Sequence, residues 1–367
     1  MCSIAYTETL RRLGTYLQQC AVNHELQREH LSGAGETYLF EKKLATFYGK
    51  KFVLTFSSAT TAMNALCLAY QFKGKEILTS PFNWGGSVAP YLLHGNRLRF
   101  TAFEPGTLCL SANDLDQAVS SKTKAVISVD YHGYPVDSLR IKEFCGERGL
   151  VYISDSAQSL GARRDDRPAG YYADATVFSF SAGKTVYAGE GGAVVTDDEA
   201  LYEKLLRIAH HPSRQKMVSG LSGYTEFCAL NGRINPLASI VLNTTFEASL
   251  MELQEKQIRL FRIVERLQDE KLIHLPIEIS SPQSSAWFQP VFLMRESVGM
   301  MDVLDCCQDI DSAITASEPT SLMPISSNHS FCREFKKQYV CSDTLKQDLL
   351  IFDRRRYVKL GGRSVGL

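Results

Sequence analysis

The sequence predicts an α/β protein: a large, mostly parallel sheet with helices on both faces, followed by a smaller C-terminal α+β domain. Three observations carry this expectation. Between about residues 50 and 200, short β-rich runs alternate with helix-like stretches, the order that builds parallel sheets. The runs are continuously apolar rather than alternating, as strands covered on both faces must be. At 367 residues the chain is long enough for a large and a small domain.

Taken in order, an N-terminal helical segment precedes the first strand. Strands are expected at residues 52–56, 76–79, 124–129, 150–153, 175–179 and 193–196, and helices at 59–70, 111–119 and 137–148. From about 233 to 268 the pattern turns helical and charged, as in Phe246-Glu-Ala-Ser-Leu-Met-Glu-Leu-Gln-Glu-Lys. A long helix of this kind joins two domains, lies at a subunit interface or is a solvated surface helix. Beyond it, polar clusters at 280–285 and 326–330 interrupt apolar runs such as Trp287-Phe-Gln-Pro-Val-Phe-Leu293. The expected division is therefore a large domain over 1–240, then a linking helix and small domain over 241–367. No internal repeat or low-complexity tract interrupts this order.

Composition narrows the function. Lys and Arg number 40 and Asp and Glu 40, so no basic footprint for nucleic acid is present. No apolar run approaches the roughly 20 residues that span a bilayer, and the N-terminus lacks a basic stretch followed by an apolar one. The ten cysteines form no C-x-x-C pair, and the adjacent Cys306 and Cys307 suit neither a disulfide nor a metal. Reduced, mostly buried thiols in a cytoplasmic protein without a metal centre are expected.

Two residues suggest chemistry. Lys184 closes the stretch Phe178-Ser-Phe-Ser-Ala-Gly-Lys184, just ahead of Gly189-Glu-Gly-Gly192, and Asp155 ends the apolar run that begins at Leu150. Both fall at carboxyl ends of strands, where open α/β sheets place their sites. Pyridoxal 5′-phosphate (PLP) needs such a pair: a lysine for its aldehyde and a carboxylate to keep its ring nitrogen protonated. Either residue alone reads as an ordinary turn or strand end.

The remaining needs of PLP are a phosphate cradle and a flat surface for the ring. Phe56-Ser-Ser-Ala-Thr-Thr61 follows a strand and opens a helix, so Ser58, Ala59 and Thr60 can hold an anion through free N–H groups. The same residues also make a plain N-cap. Ser179 adds a hydroxyl on the lysine strand. Trp84 could lie on the ring face or fill core. Gln158 could reach the ring hydroxyl or cap its own loop.

The ordered set resembles the DegT/DnrJ/StrS family of PLP-dependent nucleotide-sugar aminotransferases, fold type I (aspartate-aminotransferase-like). The resemblance runs through Gly35-Glu-Thr-Tyr-Leu-Phe-Glu41, Thr123 to Gly133, Ser154-Asp-Ser-Ala-Gln158, Phe178 to Lys184, Gly189-Glu-Gly-Gly192 and Leu230-Asn-Gly-Arg233. It covers roughly residues 30 to 260. By resemblance Lys184 and Asp155 are the catalytic residues. Ala59, Thr60 and Ser179 match the phosphate-binding positions, with Ser58 a further candidate contact beside them, Trp84 stacks on the ring, and Gln158 contacts its hydroxyl. Asn231 matches an asparagine that reaches the phosphate of the neighbouring subunit, which implies a homodimer with shared active sites. The implied reaction moves an amino group from glutamate or glutamine to a keto sugar or related keto intermediate. The alternative is another PLP reaction, an elimination or dehydration, on a non-sugar natural-product substrate. Family members that dehydrate sugars carry histidine in place of the lysine, so Lys184 points to transamination.

Two departures from the family stand out. Many members have histidine where Ser181 stands. The stretch near 349–352 lacks the usual Leu-Pro strand and no amphipathic helix closes the sequence, which leaves room for a cyclitol or natural-product acceptor.

Overall fold

The computed structural model describes residues 2–22, 31–218, 230–274, 279–319, 336–340 and 357–361, with Pro324, Leu345 and Leu349 singly. The C-terminal departures lie almost wholly outside these residues. The chain forms two compact units: Met1–Lys73 with Ala173–Met251, and Gly74–Tyr172 with Glu252–Leu367.

In the second unit, five parallel strands lie in the order Val151–Asp155, Thr123–Val129, Glu76–Thr79, Arg97–Phe100 and Tyr339–Val340. All four residues of Glu76–Thr79 are buried, and so are all but one in Thr123–Val129. This accounts for the unbroken apolar runs. Arg97–Phe100 escapes sequence reading because its Arg-Leu-Arg-Phe alternation leaves one side exposed or half-buried. Its Arg99 Nε donates to Glu76 Oε1 at 2.7 Å, and the Ser120 and Thr123 hydroxyls join it on that oxygen. These partners hold Glu76 below the usual carboxylate range although burial opposes them.

The helix Gly85–Leu93 also goes unread, because Gly85, Gly86 and Pro90 look like loop. Pro90 inside it leaves the Gly86 carbonyl without the usual N–H from four residues on, a local cost that packing has to offset. Burial of Val88, Tyr91 and Leu92 then stabilises the turn. The expected helix at 111–119 is shorter, a 3-10 turn at Ala112–Asp114 followed by Leu115–Ala118. A separate antiparallel sheet orders Ile273–His274, Val291–Met294, Tyr357–Gly361 and Thr315–Ser317, and supplies the expected α+β character together with helix Met300–Gln308.

In the first unit, Phe52–Phe56, Gly192–Thr196 and Ala175–Ser179 form three neighbouring strands, and both pairings are antiparallel. The reversal arises because a loop rather than a crossover helix joins Ala175–Ser179 to Gly192–Thr196. Helices Glu36–Tyr48, Ala59–Ala69 and Glu199–Ala209 belong to the same unit. The helical tract read at 233–268 is the continuous helix Pro236–Asp269, and the boundary expected near 240 falls inside it. Among the described residues, no helix is long and apolar enough to cross a membrane.

A buried ion pair ties this unit together. Glu41 Oε2 accepts from Arg214 Nη2 at 2.5 Å, while Oε1 accepts both the Thr55 N–H and the Thr55 hydroxyl. Both charged residues are 5% exposed. Gly33 approaches so closely that a Cβ there would meet the Arg214 side chain at 2.7 Å. Glu41→Ala strands the guanidinium in the core, at an expected cost of about 3–5 kcal/mol. A urea midpoint unchanged in that variant would refute this.

Candidate active site

The first unit assembles a cup around one end of its strands. Ser58 is the N-cap of helix Ala59–Ala69, its hydroxyl accepting the Thr61 N–H at 3.1 Å. Helix geometry leaves the Ala59 and Thr60 N–H groups without an intrahelical acceptor. Gly192 sits opposite both Phe56 and Ser179 in the strand register, so these three positions are neighbours. A Cβ on Gly192 would stand 2.4 Å from the Ala59 nitrogen, so only glycine lets the strand approach the helix start this closely. The Ser179 and Ser181 hydroxyls are 3.1 Å apart. Serine at 181, where histidine is common, thus adds a hydroxyl beside Ser179.

Lys184 rises from the loop between those two strands. Backbone bonds from Phe180 to Gly191, Ala182 to Gly189 and Ala188 to Phe180 pin the loop. Lys184 itself is half-buried. Asn231 arrives from another direction: the Ser57 N–H donates to the Gly232 carbonyl at 2.7 Å. Ser57, Asn231 and Arg233 line one cavity of about 350 Å³, with Glu190, Ile234 and Asn235. The Arg233 Nε is buried there with no hydrogen-bond partner.

The second unit holds the other three expected residues. Asp155 ends its strand 6% exposed, with Oδ2 accepting the Ser87 hydroxyl at 2.5 Å and Oδ1 the Ala157 N–H at 3.0 Å. Ser87 lies in the first turn of Gly85–Leu93, and Trp84 occupies the N-cap of that same helix. The helix therefore presents the tryptophan and orients the carboxylate at once. Trp84 is 65% exposed, while Trp287 is fully buried, so the core reading belongs to Trp287. Gln158 Oε1 accepts the His132 N–H at 2.7 Å, bracing a residue whose φ of 58° is left-handed. The loop that this bond of Gln158 braces is that of His132, not the loop on which Gln158 itself lies.

Sequence reading missed Ser87, Arg233 and Asp130. Ser87 is hidden by the loop-like Gly-Gly that precedes it. Asp130 follows the strand beside that of Asp155, and its own N–H donates to the Asp155 carbonyl at 3.1 Å. Burial leaves the His132 imidazole neutral, its pKa lowered to about 3, and Lys359 adds to the effect. A separate polar cavity of about 750 Å³, bordered by Glu104, Asn113, Arg163 and Ser281, contains none of the nine expected residues. Among the described residues no cluster of ligating side chains could hold a metal ion.

Residues 16–350 match the model of the DegT/DnrJ/EryC1/StrS aminotransferase family. The chain belongs to that family. It is accordingly a PLP-dependent enzyme with the fold type I architecture. Among DegT/DnrJ/EryC1/StrS relatives, the GDP-perosamine synthase of Vibrio cholerae is 27% identical over 262 residues, 70% of this chain and 69% of that protein. The UDP-4-amino-4,6-dideoxy-N-acetyl-beta-L-altrosamine transaminase of Helicobacter pylori is 32% identical over 223 residues, 60% of this chain and 58% of its own length. In fold, the chain is similar to an E. coli GDP-4-keto-6-deoxy-D-mannose-3-dehydratase with bound hydrated PLP. That similarity has a TM-score of 0.74 at 20% identity and covers 93% of this chain and 91% of the other.

Taken unit by unit, the residues present fit PLP. The Gly192 approach leaves the helix start open to a phosphate, the orphaned Arg233 Nε suits an anion, and the Ser87 hydroxyl holds Asp155 as an acceptor.

Proposed function

We propose that this enzyme transfers an amino group from glutamate or glutamine to a keto sugar or related keto intermediate of sugar or natural-product biosynthesis. The observation that carries the reading is Lys184, an amine on a loop fixed by three backbone hydrogen bonds. When bound, PLP supplies an electron sink for the pair released at the substrate carbon. Lys184 Nζ holds the cofactor and then carries the proton removed from that carbon. Asp155, kept as an acceptor by Ser87 and the Ala157 N–H, would hold the ring nitrogen. Trp84 would cover the ring, and Gln158 would contact its hydroxyl. The helix start at Ser58, Ala59 and Thr60, with Ser179, binds the phosphate. The Helicobacter relative's name, a transaminase, supports this reading.

The second reading, loss of water from the substrate, is favoured by the dehydratase among its structural neighbours. Lys184 weighs against it, because a lysine can return the proton that transamination requires. The test is to supply PLP-loaded protein with L-glutamate or L-glutamine and a panel of keto sugars. An aminated sugar formed in step with the keto acid supports transamination. A dehydrated sugar without amine would refute it.

We further propose a cytoplasmic homodimer in which Asn231 donates its amide to the phosphate bound by the partner subunit. Among the described residues Cys67, Cys109, Cys145, Cys306 and Cys307 are free thiols, which fits a reducing compartment. A two-fold interface would make two equivalent sites. Lys184→Ala and Asn231→Asp then damage opposite halves of each site, so every mixed dimer carries one intact site. Activity is expected to return on mixing the two inactive variants. Verified subunit exchange without recovery would mean that each subunit builds its site alone.

A further inference from the structure

Beside Asp155 lies a second carboxylate to which the proposed reaction gives no role. Asp130 is fully buried. Its Oδ2 accepts hydroxyl protons from Ser156 at 2.6 Å and Ser159 at 2.7 Å, and its Oδ1 accepts the Val136 N–H at 2.9 Å. No salt bridge to it occurs among the described residues. These bonds close a ring around two of the expected cofactor contacts. Ser156 directly follows Asp155, Ser159 directly follows Gln158, and the Asp130 N–H holds the Asp155 carbonyl. Gln158 in turn holds the His132 N–H, on the loop that runs from Asp130 to Val136.

We propose that Asp130 is a positioning residue for the cofactor ring: it clamps the loop that presents Asp155 and Gln158, and its charge reinforces that of Asp155. This rests on the reading of Lys184 and Asp155 given above.

Burial, the largest influence, raises the Asp130 pKa from 3.8 to about 6; the hydrogen bonds pull it down, and the nearby Asp155 charge adds to the rise. The other titratable groups acting with it are the Cys109 thiol, pushed up to about 12, and the Tyr152 hydroxyl, pushed up further by burial. Both are neutral at physiological pH. Asp130 therefore ionises in the working range, and at a cost. A carboxyl raised in the folded state contributes stability that is complete below 3.8 and is lost as pH rises through about 6. A purely structural role would be met more cheaply by a neutral side chain. The ionised form adds negative potential near Asp155, which favours a protonated ring nitrogen.

The experiment follows the visible spectrum of the PLP-loaded protein from pH 5 to 9, with borohydride mapping of the attached lysine in parallel. The wild type is expected to show a spectral inflection near pH 6. Ser159→Ala removes one donor that favours the charged form, so the inflection should move upward by up to about one pH unit. This small buried substitution keeps the fold testable even if the larger change does not. Asp130→Asn should lose the inflection while the cofactor remains on Lys184. An inflection absent from the wild type, or unmoved in both variants while Lys184 stays labelled, overturns the role of Asp130 alone. A label on another lysine in the wild type overturns the reading of the site, and this role with it.

Discussion

Lys184→Ala is expected to abolish turnover while leaving the protein folded. The side chain is half-buried on a loop whose geometry is fixed by backbone bonds, so its truncation should leave the loop in place. What goes is the amine that holds the cofactor and carries the proton. A positioned acid–base group alone contributes about 10²–10⁴-fold, roughly 3–5 kcal/mol of barrier, and the covalent anchor is lost besides. The phosphate cup at Ser58 to Thr60 is untouched, so PLP should still bind, but reversibly. Borohydride reduction of the wild type should fix the cofactor to Lys184 and to no other lysine. A reduced adduct at a different position would sink the assignment.

Asp155→Asn should cost about 10²-fold in rate, near 3 kcal/mol of transition-state stabilisation, with little change in folding. An asparagine can keep the Ala157 N–H on its carbonyl oxygen. Its NH₂ then faces the Ser87 oxygen, which turns from donor to acceptor. The shape survives and the charge does not. Without that charge the ring nitrogen of bound PLP would no longer be held protonated, and the cofactor would be a poorer electron sink. Turnover close to wild type would show that the ring nitrogen is paired elsewhere.

The six strands read from sequence are all present, three of them starting one residue away from the expected bound and one of these, Val151–Asp155, ending two residues later, because unbroken apolar runs bounded by Gly and polar residues admit few alternatives. Helix Ala59–Ala69 was equally legible from its Ser58 cap. The misses share a cause. Gly85–Leu93 begins with two glycines and contains a proline, so local propensity argues against the helix that burial of Val88 and Tyr91 imposes. Arg97–Phe100 carries two arginines that only its place beside Glu76–Thr79 makes acceptable.

For the site, the sequence by itself determined which residue types stand at the strand ends: an amine at Lys184, a carboxylate at Asp155 and an N-cap at Ser58. It determined them because cofactor chemistry demands particular functional groups and strand–turn–helix order places them locally. Only the tertiary structure decided how those groups are held. Ser87 reaches Asp155 across 68 positions of sequence, and Ser156 and Ser159 reach Asp130 across 26 and 29. Gly192 needs its glycine because of Ala59, more than a hundred residues away on the chain. Such partners leave no periodic trace in the sequence. A single hydroxyl or a missing Cβ fits many places on a chain, and only burial beside its partner makes it necessary.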